Sequence, residues 1–329
     1  MADKYKNKTV IFIPTLNRPK LLEKTIGNLS LATEKYEDIY LAIFDNNSDD
    51  FSSYSFITTL LNNNEKISLT RFEERLPAHA NWNRCINLLR NSKYIAFYHD
   101  DDLYDIEMPK RQIDFLNKYP NVCIVSTNSV LIDEDDKIIG EWQSKSFGPI
   151  VKGEAYIRDV LVYGRNIINC PSVMLRTNLL PDPLFFENLE PNGGDIVTWL
   201  KMALKHDVGF IDDKLMQYRK HSNAETSKTL PIKAIKDTFN AFQFFMTEYS
   251  LVSDFVKKNS KLYKWIILNR YSFQIIKQLI KFSIISKDKA NFLIGYEFLI
   301  KTIPKFSFWR VPMVCLRILL NLRVKFNFV

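Results

Sequence analysis

Apolar runs that end abruptly in polar residues recur along the first part of the chain. The runs Thr9–Thr15, Ile39–Phe44, Ile67–Phe72 and Tyr94–Tyr98 are rich in β-branched and aromatic residues, which is typical of buried strands. Stretches with the helical spacing of apolar residues lie between them. Strands that alternate with helices at roughly 30-residue spacing predict an α/β fold with a doubly wound, mainly parallel sheet.

The same reading continues beyond the fourth strand, where the pattern becomes more mixed. Asn192, Gly193 and Gly194 predict a loop that ends at Asp195, close to the start of a helix. From residue 231 onward the spacing is helical and amphipathic. In addition to the four strands, we predict helices over 51–62, 80–89, 108–119, 153–163 and 196–204, a hairpin over 130–142, an extended segment over 170–176, and short strands over 121–127 and 208–211.

Three consecutive carboxylates, Asp100, Asp101 and Asp102, follow the fourth predicted strand. Ligands of open α/β sheets bind just beyond the carboxyl ends of the strands. Adjacent carboxylates repel one another, and hard divalent cations such as Mg²⁺ take oxygen ligands together with substrate phosphates. The pattern therefore indicates a metal–phosphate site, and the alternative is a solvated acidic turn.

A second acidic turn, Asp45 to Asp50, follows the second strand and favours the metal–phosphate interpretation. Both turns are expected at the same edge of the sheet, so they predict a single site. The chain has neither GxGxxG nor GxxxxGK[ST], the two common glycine-rich phosphate-binding loops. A bound diphosphate would therefore need a metal.

The composition, 46% hydrophobic and 25% charged over 329 residues, is that of a globular protein. The four cysteines are widely spaced, which argues against a disulfide framework or a zinc site and suits a reducing cytosol. The polar amino terminus leads us to expect no signal peptide. No uncharged apolar run approaches the roughly 18–20 residues that span a bilayer.

The positive charge is concentrated at the end of the chain. Residues 231–329 contain 17 Lys and Arg against 5 Asp and Glu, a net charge of +12, and the remaining residues contain 28 against 32, a net of −4. Basic side chains alternate with aromatic ones there, as in Phe306–Val329, and this mixture suits an anionic membrane surface. A helical region packed on the sheet, or a dimer contact, is the alternative.

Six segments, in order, resemble glycosyltransferase family 2, whose members have the GT-A fold. The resemblance covers roughly Thr9 to Ser227. It is carried by Ile13-Pro14-Thr15-Leu16-Asn17-Arg18-Pro19, Asp45-Asn46-Asn47-Ser48-Asp49-Asp50, Asn81-Trp82-Asn83-Arg84-Cys85-Ile86, the DxD element Asp100-Asp101-Asp102, Asn192-Gly193-Gly194-Asp195 with Trp199-Leu200, and Tyr218-Arg219-Lys220-His221 with Asn223.

The resemblance implies a GT-A fold: a Rossmann-like, mainly parallel sheet flanked by helices, with a helical C-terminal region. Residues 1–230 would form the catalytic domain, with 1–105 as its nucleotide-sugar-binding half and 106–230 as its acceptor half. Residues 231–329 would form the basic helical region.

The resemblance also implies a nucleotide-diphosphate sugar donor, with UDP as the commonest nucleotide, and Mn²⁺ or Mg²⁺ as cofactor. Asp45 would contact the base, Asp102 with Asp100 would bind the metal, and Asp195 would be the catalytic base of an inverting displacement. The other residues implied in donor binding are Thr15, Arg18, Asn83, Arg84, Asp100, Asp101, Arg219 and His221.

Two positions depart from the family pattern. The family usually has glutamate before the base, where this chain has Gly194, and it often has arginine where this chain has Trp82. Arg84 is a candidate to replace that arginine.

The predicted function is an inverting, metal-dependent glycosyltransferase of surface polysaccharide synthesis. Its partners would be a nucleotide-sugar donor and a glycan or lipid-linked acceptor. It would lie in the cytoplasm or peripherally at the inner face of the plasma membrane. The alternatives are a metal-dependent nucleotidyl- or phosphotransferase that uses the same acids, and a non-catalytic nucleotide-sugar-binding protein. Nucleic-acid binding through the basic region is the weakest reading.

Overall fold

The computed structural model describes residues 4–142, 148–189, 191–221 and 231–280, together with the single residues 297 and 301. The chain divides into two compact units, Met1–Ser222 and Asn223–Val329. The boundaries that the sequence predicts at residues 105 and 230 stay predictions.

The first unit is built on one sheet with the strand order β3-β2-β1-β4-β9-β6-β10-β5; β7 pairs with β6, and β8 with β10. Strands β3, β2, β1 and β4 are mutually parallel, β9 is antiparallel to both β4 and β6, and β6 and β10 are parallel. The strands are β1 (Thr9–Thr15), β2 (Ile39–Asp45), β3 (Ile67–Arg71), β4 (Tyr94–Phe97), β5 (Leu103–Tyr104), β6 (Val122–Ile132), β7 (Ile138–Glu141), β8 (Ile150–Val151), β9 (Val173–Arg176) and β10 (Asp207–Arg219).

Six α-helices belong to the described part of the first unit. Proline stands in the first turn of the first and fourth, where its missing N–H leaves no helical bond unmade. The helices are α1 (Pro19–Lys35), α2 (Phe56–Asn63), α3 (Ala78–Leu88), α4 (Met108–Lys118), α5 (Gly153–Arg158) and α6 (Pro191–Ala203).

The central strands are apolar along their length because residues on both of their faces are buried. All four residues of β4 are buried, and so are six of the seven residues of β1. Phe12 of β1 pairs with Phe97 of β4, and their rings stack with centroids 4.9 Å apart. Thr15 pairs with Asp45 at the end of β2. The polar turns after β1, β2 and β4 therefore meet at one edge, as the alternation of strands and helices predicts.

Several predicted elements differ from the structure in extent or type. The predicted strand over 121–127 is part of the longer β6, and only Gly153–Arg158 of the predicted helix over 153–163 is α-helical. The predicted helix over 51–62 is a 3₁₀ turn, Phe51–Tyr54, followed by α2. The predicted short strand over 208–211 is part of the longer β10, because its pairing with β6 continues to Arg219. The predicted loop before Asp195 is replaced by helix, since α6 already begins at Pro191 and includes both glycines, but Gly193 keeps a non-helical φ of 111°.

The second unit contains two described helices, α7 (Pro231–Glu248) and α8 (Asp254–Ile280). They pack through aromatic side chains, with Tyr271 in edge contact with both Phe239 and Phe242. None of the described helices is both long and apolar enough to cross a membrane. The predicted membrane-surface segment, Phe306–Val329, lies outside the described residues.

Candidate functional site

The acidic turn after β4 is buried. Asp100, Asp101 and Asp102 are 4%, 9% and 1% exposed. The Asp100 carboxylate accepts a hydrogen bond of 2.8 Å from the hydroxyl of Thr15, at the end of β1, and one of 2.9 Å from Arg18. The β1 turn therefore holds the first acid in place.

The second and third acids are held by both ends of the unit. Arg18 and His221 bind the same oxygen of Asp101, Oδ2, at 2.7 and 3.1 Å. The backbone N–H of Arg219 donates to Oδ1 of Asp102 at 2.8 Å. The other Asp102 oxygen, Oδ2, is buried without a hydrogen-bond partner among the described residues. Each of these two carboxylates thus has one oxygen fixed by the protein.

Burial and mutual repulsion dominate the electrostatics of the turn. Burial, together with the neighbouring Asp101 charge, raises the pKa of Asp100 to about 6 and holds the pKa of Asp102 well above its usual range. Burial also acts on Asp101, but the His221 hydrogen bond and nearby positive charge outweigh it and lower the Asp101 pKa. A bound cation would favour the charged form of all three acids.

The turn offers a group of metal-binding atoms. One ligand atom each from His99, Asp101 and Asp102 can be chosen so that the three lie within 4.8 Å of one another. Asp102 Oδ2 and the buried Nε2 of His99 have no hydrogen-bond partner among the described residues, and both atoms could bind a divalent cation. Oxygen donors of this kind fit Mn²⁺ or Mg²⁺. The group leaves out Asp100, so this arrangement gives no support to the predicted metal role of Asp100.

Arg219, which the sequence predicts to bind the donor, also supports the acidic turn. Its side chain is buried, and its Nε donates to the backbone oxygen of Asp101 at 2.8 Å. Its Nη1 donates to the backbone oxygen of Asp133 at 3.0 Å and forms an ion pair with Asp136. Its Nη2 is buried without a hydrogen-bond partner among the described residues, and the predicted role of Arg219 in donor binding stays a prediction.

Asp45 is at the same sheet edge, but its carboxylate is fully buried. It accepts hydrogen bonds from the backbone N–H of Ser48, at 3.1 and 3.2 Å, and from the Ser48 hydroxyl. Arg71 of β3 approaches it at 3.5 Å. The predicted contact of Asp45 with the base stays a prediction, and Arg71 is a neighbour that the sequence pattern did not single out.

Asn83 and Arg84 of α3 bind different parts of the unit. The Asn83 amide donates to the backbone oxygen of Phe185 at 3.0 Å and accepts from its N–H at 2.9 Å. Arg84 donates to Asn46, in the turn after β2, at 2.7 Å, and its guanidinium lies 3.5 Å from the ring centre of Phe72. The structure therefore brings Arg84 to the Asp45 turn and commits Asn83 to the segment around Phe185.

Asp195 lies in the second turn of α6, and its side chain is partly buried. Burial raises its pKa to about 6, although backbone N–H groups and the Cys170 thiol stabilise its charged form. The pKa of that thiol is held well above its usual range, first by burial and then by Asp195. A carboxylate whose pKa is raised toward neutrality is suited to general-base chemistry.

The residue before Asp195 is packed against an imidazole ring. A β-carbon on Gly194 would lie 2.3 Å from Cε1 of His79, closer than any real contact. His79 is 4% exposed, stacks on Phe185 with ring centroids 5.6 Å apart, and has Nδ1 3.0 Å from the backbone oxygen of Phe186. The ring occupies the space into which the usual glutamate would project, which explains the glycine.

An aromatic cluster connects the acidic turn to α6. Trp82 of α3 contacts Phe97 and Phe185, with ring centroids 4.8 and 5.1 Å apart. Phe97 in turn contacts His99 at 5.0 Å, and Phe185 contacts Trp199 of α6 at 5.7 Å. The sequence pattern indicates the substitution by Trp82 but predicts no role for His79 or His99, since isolated histidines give little signal.

Comparison with known proteins gives a family and a fold. Residues 10–173 match the sequence model of glycosyl transferase family 2. S. aureus TarS 1–349, in complex with UDP-GlcNAc, is 15% identical with a TM-score of 0.66, over 90% of this chain and 82% of that one. No curated protein matches the chain.

A second similar structure is the mannosyltransferase PcManGT from Pyrobaculum calidifontis, in complex with GDP-Man and Mn²⁺. It is 12% identical with a TM-score of 0.53, over 98% of this chain and 88% of that one. At such identities these structures show the fold alone, and they confirm the predicted GT-A architecture.

Proposed function

This chain belongs to glycosyl transferase family 2 and is a nucleotide-sugar glycosyltransferase, and we propose that it is an inverting, divalent-cation-dependent enzyme acting on a glycan or lipid-linked glycan hydroxyl. One observation carries the proposal. Three consecutive buried carboxylates follow β4, at the sheet edge where the parallel strands β1, β2 and β4 end, and one oxygen of Asp102 is buried without a partner among the described residues. This is where an α/β sheet binds its ligand.

We propose a UDP-sugar as the donor, which the UDP-GlcNAc complex of the similar TarS structure supports. The nucleotide would lie along the ends of β1, β2 and β4, between the Asp45 turn and the acidic turn. Arg18 would lie beside it with its guanidinium oriented by Asp100 and Asp101. His221, bonded to Asp101, is the candidate from the end of the unit to contact the diphosphate.

The cation would be held by Asp102 and Asp101. When bound, it would stabilise the negative charge that grows on the departing diphosphate. The GDP-Man and Mn²⁺ complex of the similar mannosyltransferase supports Mn²⁺ as the ion. The protein prepares this position by binding Oδ1 of Asp102 through the Arg219 N–H and leaving Oδ2 for the ligand.

We propose that Asp195 is the catalytic base. Its carboxylate accepts the proton of the acceptor hydroxyl as that oxygen attacks the anomeric carbon. The new carbon–oxygen bond forms while the bond from the anomeric carbon to the diphosphate breaks. The nucleotide diphosphate leaves with the bonding pair, and a single displacement inverts the anomeric configuration.

We further propose a role in surface polysaccharide synthesis at the cytoplasmic face of the membrane. The net charge of +12 over residues 231–329 supports it, because anionic lipid would attract that region.

A thermal-shift screen tests the donor site. UDP-, GDP- and dTDP-sugars are each added with Mn²⁺ or with EDTA to the native chain, to Asp102→Asn and to a control, Asp114→Asn, an exposed acid on α4. Ligand at a hundred times Kd stabilises by about 2.7 kcal/mol, roughly 5–11 °C for a unit of this size. We expect one nucleotide to give a Mn²⁺-dependent shift that is lost in Asp102→Asn and kept in the control. Absence of a shift with every donor would refute the proposal.

A further inference from the structure

His99 stands directly before Asp100, at the start of the acidic turn. Its backbone N–H donates to the Tyr104 hydroxyl at 2.7 Å, and its ring is in edge contact with Phe97. Its Nε2 atom is buried and has no hydrogen-bond partner among the described residues. A buried nitrogen without a partner is unfavourable, so a group that binds it is expected at this point.

The side chains next to His99 in the acidic turn are of the kind that hold a divalent cation. The chosen ligand atoms of His99, Asp101 and Asp102 all lie within 4.8 Å of one another. The protein ties one oxygen of each acid: Arg18 and His221 bind Oδ2 of Asp101, and the Arg219 N–H binds Oδ1 of Asp102. Asp102 Oδ2 and His99 Nε2 are thus two buried atoms that could bind a metal and that have no hydrogen-bond partner in the described chain.

We propose that His99 is a direct ligand of the divalent cation, beside Asp101 and Asp102. The inference rests on the proposed cation-dependent function and adds a nitrogen ligand to it. Carboxylates alone suit Mg²⁺ and Ca²⁺ as well as Mn²⁺, whereas imidazole favours transition metals. The ligand set therefore selects Mn²⁺ or Co²⁺ over Mg²⁺, which oxygen ligands alone would not do.

The aromatic neighbours of His99 fix where this nitrogen lies. Trp82 and Phe97 both contact the ring, with centroids 6.1 and 5.0 Å away. The other reading is that His99 is only a member of this aromatic cluster. The two readings differ sharply in a phenylalanine variant, because His99→Phe keeps a ring for the cluster but removes the nitrogen.

Electron spin-echo spectroscopy of Mn²⁺ bound to the chain, measured with UDP and separately with GDP, tests the proposal. A directly bound imidazole gives ¹⁴N modulation, which changes to that of ¹⁵N when only the histidines are labelled. We expect the modulation in the native chain and in the control His206→Gln, and its loss in His99→Phe. Partners of a metal-binding histidine are already worth roughly 10–100-fold in affinity. We therefore expect at least a tenfold loss of Mn²⁺ affinity in His99→Phe and a smaller loss for Mg²⁺.

The possible failures are distinguishable. Bound Mn²⁺ without nitrogen modulation in the native chain overturns the His99 inference and leaves the proposed function intact. Modulation that survives in His99→Phe and is lost in His221→Asn assigns the nitrogen to the other histidine, and this too overturns the inference. Failure to bind Mn²⁺ with either nucleotide contradicts the cation dependence of the proposed function itself. Where His99→Phe does not fold, His221→Asn decides: modulation that persists in this variant supports the inference, and its loss there overturns it.

Discussion

Gly194→Ala should destabilise the first unit even though alanine is the better helix former. The new β-carbon would lie 2.3 Å from Cε1 of His79, so the ring must move by more than 1 Å to reach an ordinary contact. It cannot move freely, because Nδ1 lies 3.0 Å from the Phe186 oxygen and the ring stacks on Phe185. The side chain that must yield is therefore held on two sides.

The magnitude follows from these contacts. Overpacking a filled site costs about 1–3 kcal/mol, and we place this contact at the upper end because a hydrogen bond and a ring stack oppose the shift. The higher helix propensity of alanine offsets about 1 kcal/mol of this cost, because residue 194 lies within α6. We expect a net loss of about 2 kcal/mol, or roughly 4–8 °C in Tm for a unit of this size.

A double-mutant cycle separates the ring contact from other effects. Unfolding by urea and by heat is measured for Gly194→Ala, His79→Ala and the pair. In the His79→Ala background the alanine should stabilise by about 1 kcal/mol, because the ring is gone and only the helix preference remains. Gly27→Ala in α1, where a β-carbon meets nothing within 4 Å, is the matched control and should also stabilise. Equal effects of Gly194→Ala in both backgrounds would refute the reasoning.

Three further predictions concern single residues. Asp195→Asn should raise the free energy of unfolding by up to about 3 kcal/mol at pH 8, because the folded pKa of about 6 lies above the unfolded value near 3.8 and ionisation of Asp195 therefore destabilises the fold. Urea titrations at a series of pH values should show this gain fading between pH 6 and pH 4. Arg219→Ala should lower the free energy of unfolding, measured in urea, by about 3 kcal/mol or more, because the backbone oxygens of Asp101 and Asp133 lose their donor. Native stability together with weaker UDP binding would instead support the predicted role of Arg219 in donor binding. Asn83→Ala should lower the free energy of unfolding by about 1–3 kcal/mol, because the hydrogen bonds to Phe185 are lost. It should leave the Kd for UDP, measured by calorimetry, within about threefold of native, and a tenfold rise in Kd would instead support the predicted role of Asn83 in donor binding.

The parts of the fold that the sequence predicts are those specified by local pattern. Strands β1 and β4 are apolar along their length because both faces are buried, so their bounds can be read from the chain. The acids that follow β4 and β2 were expected at one edge because parallel strands end together, and the pairing of Thr15 with Asp45 confirms that geometry.

Other features depend on contacts between distant residues, which a local pattern does not carry. Arg219 bonds to Asp101 across 118 positions, so its motif can be recognised from the sequence while its support of the acidic turn cannot. The two glycines before Asp195 look like a loop because each disfavours a helix by about 1 kcal/mol. Gly193 does keep a non-helical φ of 111°, whereas Gly194 is required within α6 because the His79 ring fills the space of a β-carbon.

The central claim is that the acidic turn binds a nucleotide-sugar donor and that Asp195 removes the acceptor proton. It is tested most directly by following donor cleavage and the anomeric configuration of the product by proton NMR, with the donor found in the screen, for the native chain and Asp195→Asn. The account predicts inversion, a rate at least about 100-fold lower in Asp195→Asn, and unchanged donor affinity in that variant. Retention of configuration, or a native rate in Asp195→Asn, would contradict it.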